Sequence, residues 1–141
     1  MYTDNKAALP KKVDTEKVLG KALPANTDAE KAVLGTLLLN DEYLTLVSEI
    51  LSAQDFYLNA HKIIYQAIVD IAALDKRIDL LTLQDELTKR NQLEAVGGII
   101  YLVSLQEDIP AIGLIEQHAK LVKEKAVLRE LIGSAAEIIT N

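Results

Sequence analysis

The sequence predicts an all-α fold: a compact head of about five short helices followed by one long C-terminal helix. Three observations point there. Apolar residues recur at three- and four-residue spacing in segment after segment. The apolar half of the composition is carried by Leu, Ile, Val and Ala, with no Trp and a single Phe. Polar residues suited to helix caps stand ahead of several apolar runs. A chain of 141 residues can bury one core but not two.

Taken in order, residues 1–23 are lysine-rich, irregularly patterned and interrupted by Pro10 and Gly20, and are expected to form a flexible basic tail. The globular head is expected over residues 24–110. Thr27 and Glu30 stand at capping-box spacing, ahead of a helix bearing Val33, Leu34, Leu37 and Leu38. Asn40 and Asp41 mark the break before a second helix with Leu44, Val47, Ile50 and Leu51, expected to pair antiparallel with the first. The aromatics of Asp55-Phe56-Tyr57 then interrupt the pattern. Asn59 is a candidate cap for a third helix with Ile64, Ala67, Ile68, Ile71 and Leu74. After a charged turn at Asp75 to Arg77, Asp79 and Thr82 are cap candidates for a short helix with Leu83 and Leu87. Gly97 and Gly98, which permit close backbone approach, precede another with Ile100, Tyr101, Leu102 and Leu105.

Beyond Pro110 no proline occurs, and residues 111–141 read as a single helix with weak points at Gly113 and Gly133. At 1.5 Å per residue it would run roughly 40 Å, against a radius of gyration of ~13 Å for a body of this size, so its far end is expected to project. Leu121, Leu128 and Ala135 recur at seven-residue intervals, flanked by Val122, Leu131, Ile132, Ile138 and Ile139. Such a stripe needs a partner, either the rest of its own domain or another chain.

Chemistry is poorly represented. The chain has no cysteine and only two histidines, His61 and His118, too few for an ordinary zinc site. No Gly-x-x-x-x-Gly-Lys-Ser/Thr run exists to cradle phosphate. Asp41-Glu42, Asp85-Glu86 and Glu107-Asp108 are adjacent pairs whose side chains diverge, and read as surface charge. His61 reads as a ring packed against the aromatic turn. Ser48, Ser52, Ser104 and Ser134 lack a nucleophile signature. No catalytic, cofactor-binding or metal-binding residue is therefore assigned. The polar start from Met1 to Pro10 is unlike a signal peptide, no stretch approaches ~18 uninterrupted apolar residues, and the expected location is the cytoplasm.

The net charge of −6 is unevenly spread. Five lysines oppose Asp4, Asp14 and Glu16 in residues 1–25, whereas six basic side chains face fourteen acidic ones in residues 26–110. So acidic a body repels phosphate, and little direct DNA binding is expected. Proteins are the expected partners.

A more specific reading comes from Pro24 with Glu30, Ala32-Val33-Leu34-Gly35, Asp55-Phe56-Tyr57 with His61, Ile78-Asp79 with Thr82-Leu83, Val96-Gly97-Gly98 with Tyr101-Leu102, and Lys123-Glu124-Lys125-Ala126 with Leu128-Arg129. In order and spacing these resemble the N-terminal domain of the DnaB-type replicative DNA helicases, from Pro24 to the end of the chain. The resemblance implies a helical head followed by a helical hairpin, with hairpins pairing subunits and three pairs forming the collar of a hexamer. It also implies a docking surface for a DnaG-type primase, a loader acting on the assembled helicase, and ATP and magnesium confined to a RecA-like motor domain outside this chain. The long helix would be the first arm of the hairpin. Candidate subunit or primase contacts on it are Leu121, Leu128, Leu131, Ile132, Ala135 and Ile139. Three alternatives stand beside this reading: the helicase-binding domain of a bacterial primase, a small helical DNA-binding regulator, for which no basic recognition helix is visible, and an enzyme with dispersed acidic residues, for which no constellation can be argued.

Overall fold

A computed structural model of the chain describes residues 23–107, 109 and 112–140; the basic segment expected to be a tail lies, except for Leu23, outside the described residues. Among them are six α-helices and no strand. These are α1 (Thr27–Leu39), α2 (Leu44–Ile50), α3 (Asn59–Ala73), α4 (Leu80–Lys89), α5 (Gly98–Leu105) and α6 (Ile115–Thr140), with single 3₁₀ turns at Asp41–Tyr43, Ala53–Asp55, Glu94–Val96 and Ile112–Leu114. Five short helices and one long one are the architecture the periodicity predicts. Gly113 falls in a 3₁₀ turn rather than inside the long helix. Residues Ala25–Val127 form one compact unit, and the end of α6 from Leu128 belongs to a second.

The caps agree with the sequence at one helix and depart from it at two. At α4 the capping box is complete: the Thr82 amide donates to Asp79 Oδ1 at 2.8 Å, and the Asp79 amide donates to Thr82 Oγ1 at 2.9 Å. At α1, however, the cap is Asn26, whose side chain accepts from the Ala29 amide at 2.9 Å. Glu30 does not reach back, because it is buried and engaged elsewhere. Nor does Asn59 cap α3; Leu58 holds that position without a side-chain bond, and the Tyr57 and Leu58 amides just ahead of the helix point to Glu30 of α1.

The first unit is built on α3, which packs against α1 and α4, with α1 and α4 each also meeting α5. Leu34 and Leu37 of α1, Ile64 and Ile68 of α3, Leu83 and Leu87 of α4, and Leu102 of α5 are wholly buried together. The aromatic interruption belongs to this core. Phe56 is fully enclosed with its ring 4.9 Å from that of Tyr65, and the Tyr65 hydroxyl donates to the Leu51 carbonyl at 3.0 Å. Burial, with the nearby Asp55 charge second, pushes the Tyr65 phenol up to about 12.

Two glycines act at close quarters. Gly35 on α1 lies so near the Leu105 carbonyl at the end of α5 that a Cβ there would collide with backbone. Gly97 has φ 107°, a left-handed conformation that ends one turn and lets α5 start at Gly98. The α1–α2 turn is fastened to the loop before α4 by Asp41, contrary to the expectation of a plain surface charge. Its carboxylate takes Arg77 Nε at 2.8 Å, Arg77 Nη2 at 2.7 Å and the Ile78 amide at 2.8 Å. The Arg77 guanidinium, assisted by that amide and opposed by partial burial, holds the Asp41 carboxyl at about 2.

Candidate functional site

Helix α6 has two apolar faces, because its sequence carries two sets of residues at helical spacing. Ile115, Ala119, Val122 and Ala126 follow one another by four, three and four positions and are all buried. Ile115, Ala119 and Val122 join the core of the first unit. Lys123, on the same helix, donates from Nζ to Asp55 Oδ1 at 3.2 Å and fastens this stretch to the turn before Phe56. Asp55 itself accepts from the Ser52 amide at 2.8 Å, so the turn it anchors is braced from both sides.

The second set is the predicted contact stripe. Leu121, Leu128 and Leu131 are exposed, Leu131 by 62% and the other two by nearly 40%. Ala135 and Ile139 are exposed as well, while Ile132 is half-buried. Ile138, which flanks the stripe but is not among the candidate contacts, is 77% exposed. On a helix, positions seven apart lie 20° from alignment, so Leu121, Leu128, Ala135 and, four residues on, Ile139 share one line. It stands about 100° round from the face that carries Val122 and Ala136. A helix of this length, about 39 Å, thus offers a second apolar edge along much of its run. His118 lies half-buried on it.

A polar cluster in the first unit was only half legible. Glu30 and His61 are 1% and 0% exposed. Glu30 Oε2 accepts from the Tyr57 amide at 2.7 Å, Oε1 lies 2.7 Å from His61 Nδ1 and 3.5 Å from the Leu58 amide, and His61 Nε2 lies 2.6 Å from the Tyr101 hydroxyl. The His61 and Tyr101 rings stack with centroids 5.9 Å apart. Burial, then the neighbouring Glu30, raises the Tyr101 phenol above its ordinary value. This chain of bonds joins α1, the start of α3 and α5. Its geometry is that of a structural tie: both carboxylate oxygens are consumed by protein donors, so no free base is presented to a substrate. The sequence placed His61 against the aromatic turn but missed Glu30 and Tyr101. The signal was available, since Glu30 is in helical phase with Val33, Leu34 and Leu37. No group of three or more His, Cys, Asp or Glu that could hold a metal occurs among the described residues, and no described helix is long and apolar enough to cross a membrane.

Comparison with known proteins places this helical arrangement. The family model described as the DnaB-like helicase N terminal domain matches residues 22–124. The chain belongs to that family. It is 43% identical over 115 residues to the replicative DNA helicase DnaC of Bacillus subtilis (strain 168), covering 82% of this chain and 25% of that protein. It is 40% identical over 126 residues to the replicative DNA helicase DnaB of Treponema pallidum (strain Nichols), covering 89% of this chain and 28% of that one. The crystal structure of the N-terminal domain of the DnaB helicase from Mycobacterium tuberculosis superposes with a TM-score of 0.82 at 34% identity, over 84% of this chain and 86% of that one. As a member of the DnaB N-terminal family, the chain thus spans about a quarter of the length of the curated helicases it matches.

Proposed function

We infer that this chain is the N-terminal assembly and primase-docking domain of a replicative DNA helicase, acting in collar formation and in coupling unwinding to priming. The observation that carries the reading is the exposed apolar edge of α6, on a helix whose other face is committed to the core of its own head. A monomer gains nothing by keeping Leu128, Leu131 and Ile139 in water, whereas a subunit contact removes them from it. Leu121, Leu128, Leu131, Ile132, Ala135 and Ile139 are the proposed contacts with a second subunit or with primase.

The rest of the assignment follows from the same reading. The basic segment over 1–23, the head over 24–110 and the arm over 111–141 are its three parts. ATP and magnesium belong to a motor portion of the helicase outside this chain, so this domain itself performs no catalysis. A loader acts on the assembled hexamer, the collar is a trimer of dimers, and the site of action is the cytoplasm. A helicase-binding domain of primase would sit on the other side of the same contact, but the relatives reported above are helicases.

Sedimentation equilibrium of the chain alone and with the C-terminal domain of a DnaG-type primase tests this across a concentration series. Self-association or a primase complex is expected. A strict monomer that ignores primase at every concentration would overturn the docking role.

A further inference from the structure

Helix α4 buries Leu83 and Leu87 completely, and Leu81 stands two positions before Leu83, about 200° round the helix, so it faces away from the core. It is 72% exposed. On the neighbouring helix, α3 closes with Leu74, 67% exposed, three residues beyond the buried Ile71. A lone exposed leucine is ordinary, but these two accompany a groove. The groove, of about 410 Å³, runs between α3 and α4, with Ile71 at its floor, Leu81 along α4, and Lys76 of the connecting loop beside it.

The charges around the groove are unevenly matched. Lys89 Nζ lies 3.1 Å from Asp85 Oδ2, and Arg90 Nε donates to Glu86 Oε2 at 2.7 Å, so both carboxylates of the lining have a cation. The Lys76 ammonium has no partner among the described residues. Its loop is nevertheless held, because Asp41 clasps Arg77 and the Ile78 amide immediately after it. An unmatched cation beside an apolar groove selects a carboxylate, and the acidic excess of residues 26–110 admits one such group rather than an acidic run. Size decides the rest. A stable contact between two folded chains removes about 800 Å² from each, and one groove edged by two leucines offers only a fraction of that.

We propose that the α3–α4 groove of the head receives a short segment of another protein, with an aliphatic side chain on Ile71 and Leu81 and an adjoining carboxylate on Lys76. Burial of the aliphatic group supplies the affinity, and Lys76 sets the preference for an acidic neighbour. The surface uses no residue of α6, so it stands whether or not the exposed stripe of that helix binds primase.

Three capped tetrapeptides test this through the amide shifts of the ¹⁵N-labelled full chain: acetyl-Ser-Leu-Glu-Ser-amide, the same peptide with Lys for Glu, and the same with Ser for Leu. The first should saturate with a Kd of about 1 mM, within reach of a probe this small, moving the amides of Lys76, Leu81, Thr82, Asp85 and Lys89. The other two should bind at least about threefold more weakly. Lys76→Ala should erase the preference for Glu over Lys, and Leu81→Ser should weaken the first peptide at least about threefold; both positions are exposed, so the remaining spectrum should stay that of the folded chain. Four results overturn the proposal: no saturable shift at the groove up to about 10 mM peptide, shifts confined to α6, tighter binding of the lysine peptide, or the same amides moving with chain concentration alone, which would make a second copy the occupant.

Discussion

Glu30 ties the start of α3 to α1, and its energetics follow from what it satisfies. It accepts from the Tyr57 amide, sits within hydrogen-bond reach of His61 and lies near the Leu58 amide, all in a site with almost no solvent. Glu30→Ala should therefore destabilise the chain by roughly 2–4 kcal/mol, because buried donors are left without an acceptor as well as a bond being lost. Tyr101→Phe removes one bond at the half-buried end of the same chain and should cost only about 1–2 kcal/mol. Urea unfolding followed by circular dichroism ranks the two, and equal losses would mean the tie is not organised around Glu30. Asp41 behaves differently because its partner Arg77 is 81% exposed. The Asp41 carboxyl is held at about 2 against an ordinary 3.8, so its stabilisation is complete above the ordinary value and is lost as pH falls through about 2. Solvent screening limits the gain to about 1 kcal/mol. Asp41→Asn should lower the urea midpoint at pH 6, with the gap to the unsubstituted chain narrowing between pH 4 and pH 2; a gap independent of pH would show that shape rather than charge fastens the turn.

Helices of this protein meet at distances that single residues set, and Gly35 gives the clearest case. Placing alanine inside a helix in place of glycine ordinarily stabilises it by up to ~1 kcal/mol. Here the new Cβ would strike the Leu105 carbonyl, which is backbone and cannot swing away, so α1 and α5 would have to separate. Gly35→Ala should lower the melting temperature by several degrees, consistent with a loss of at least ~2 kcal/mol; an unchanged or raised value would refute the close approach. Much of this level was legible beforehand. The apolar spacing of Ile64, Ala67, Ile68 and Ile71 gave α3, and the Asp79–Thr82 pair gave the start of α4, since periodicity and caps are local properties. What escaped were partners distant in sequence: Glu30 with Tyr57, Asp41 with Arg77, Gly35 with Leu105. Each looks local, as a cap, a surface charge or a helix glycine, until tertiary packing supplies its counterpart.

At the scale of the molecule, the charge and the apolar edge of α6 together define what the chain can bind. With a net charge of −6 and the acidic excess lying over residues 26–110, single-stranded DNA should bind feebly at physiological salt, and ATP should not turn over; measurable hydrolysis by the purified chain would contradict this. The α6 stripe was readable as a seven-residue repeat, but which positions face water depended on the head, since Val122 and Ala126 are buried while Leu121 and Leu128 are not. That division makes a selective experiment possible. Leu128→Asp places a charge on an exposed position with no part in the core of the head, so folding should be preserved within about 0.5 kcal/mol. In a subunit or primase contact the same carboxylate would be desolvated without a partner, which should cost 2 kcal/mol or more and weaken association at least about thirtyfold. Ile132→Asp, half-buried on the same edge, should act in the same direction with some added loss of stability. Because α3 amide exchange reports the head independently, weakened association with unchanged exchange assigns the effect to the edge. Retained self-association and retained primase affinity in both variants would mean that the exposed leucines of α6 are not where this domain meets its partners.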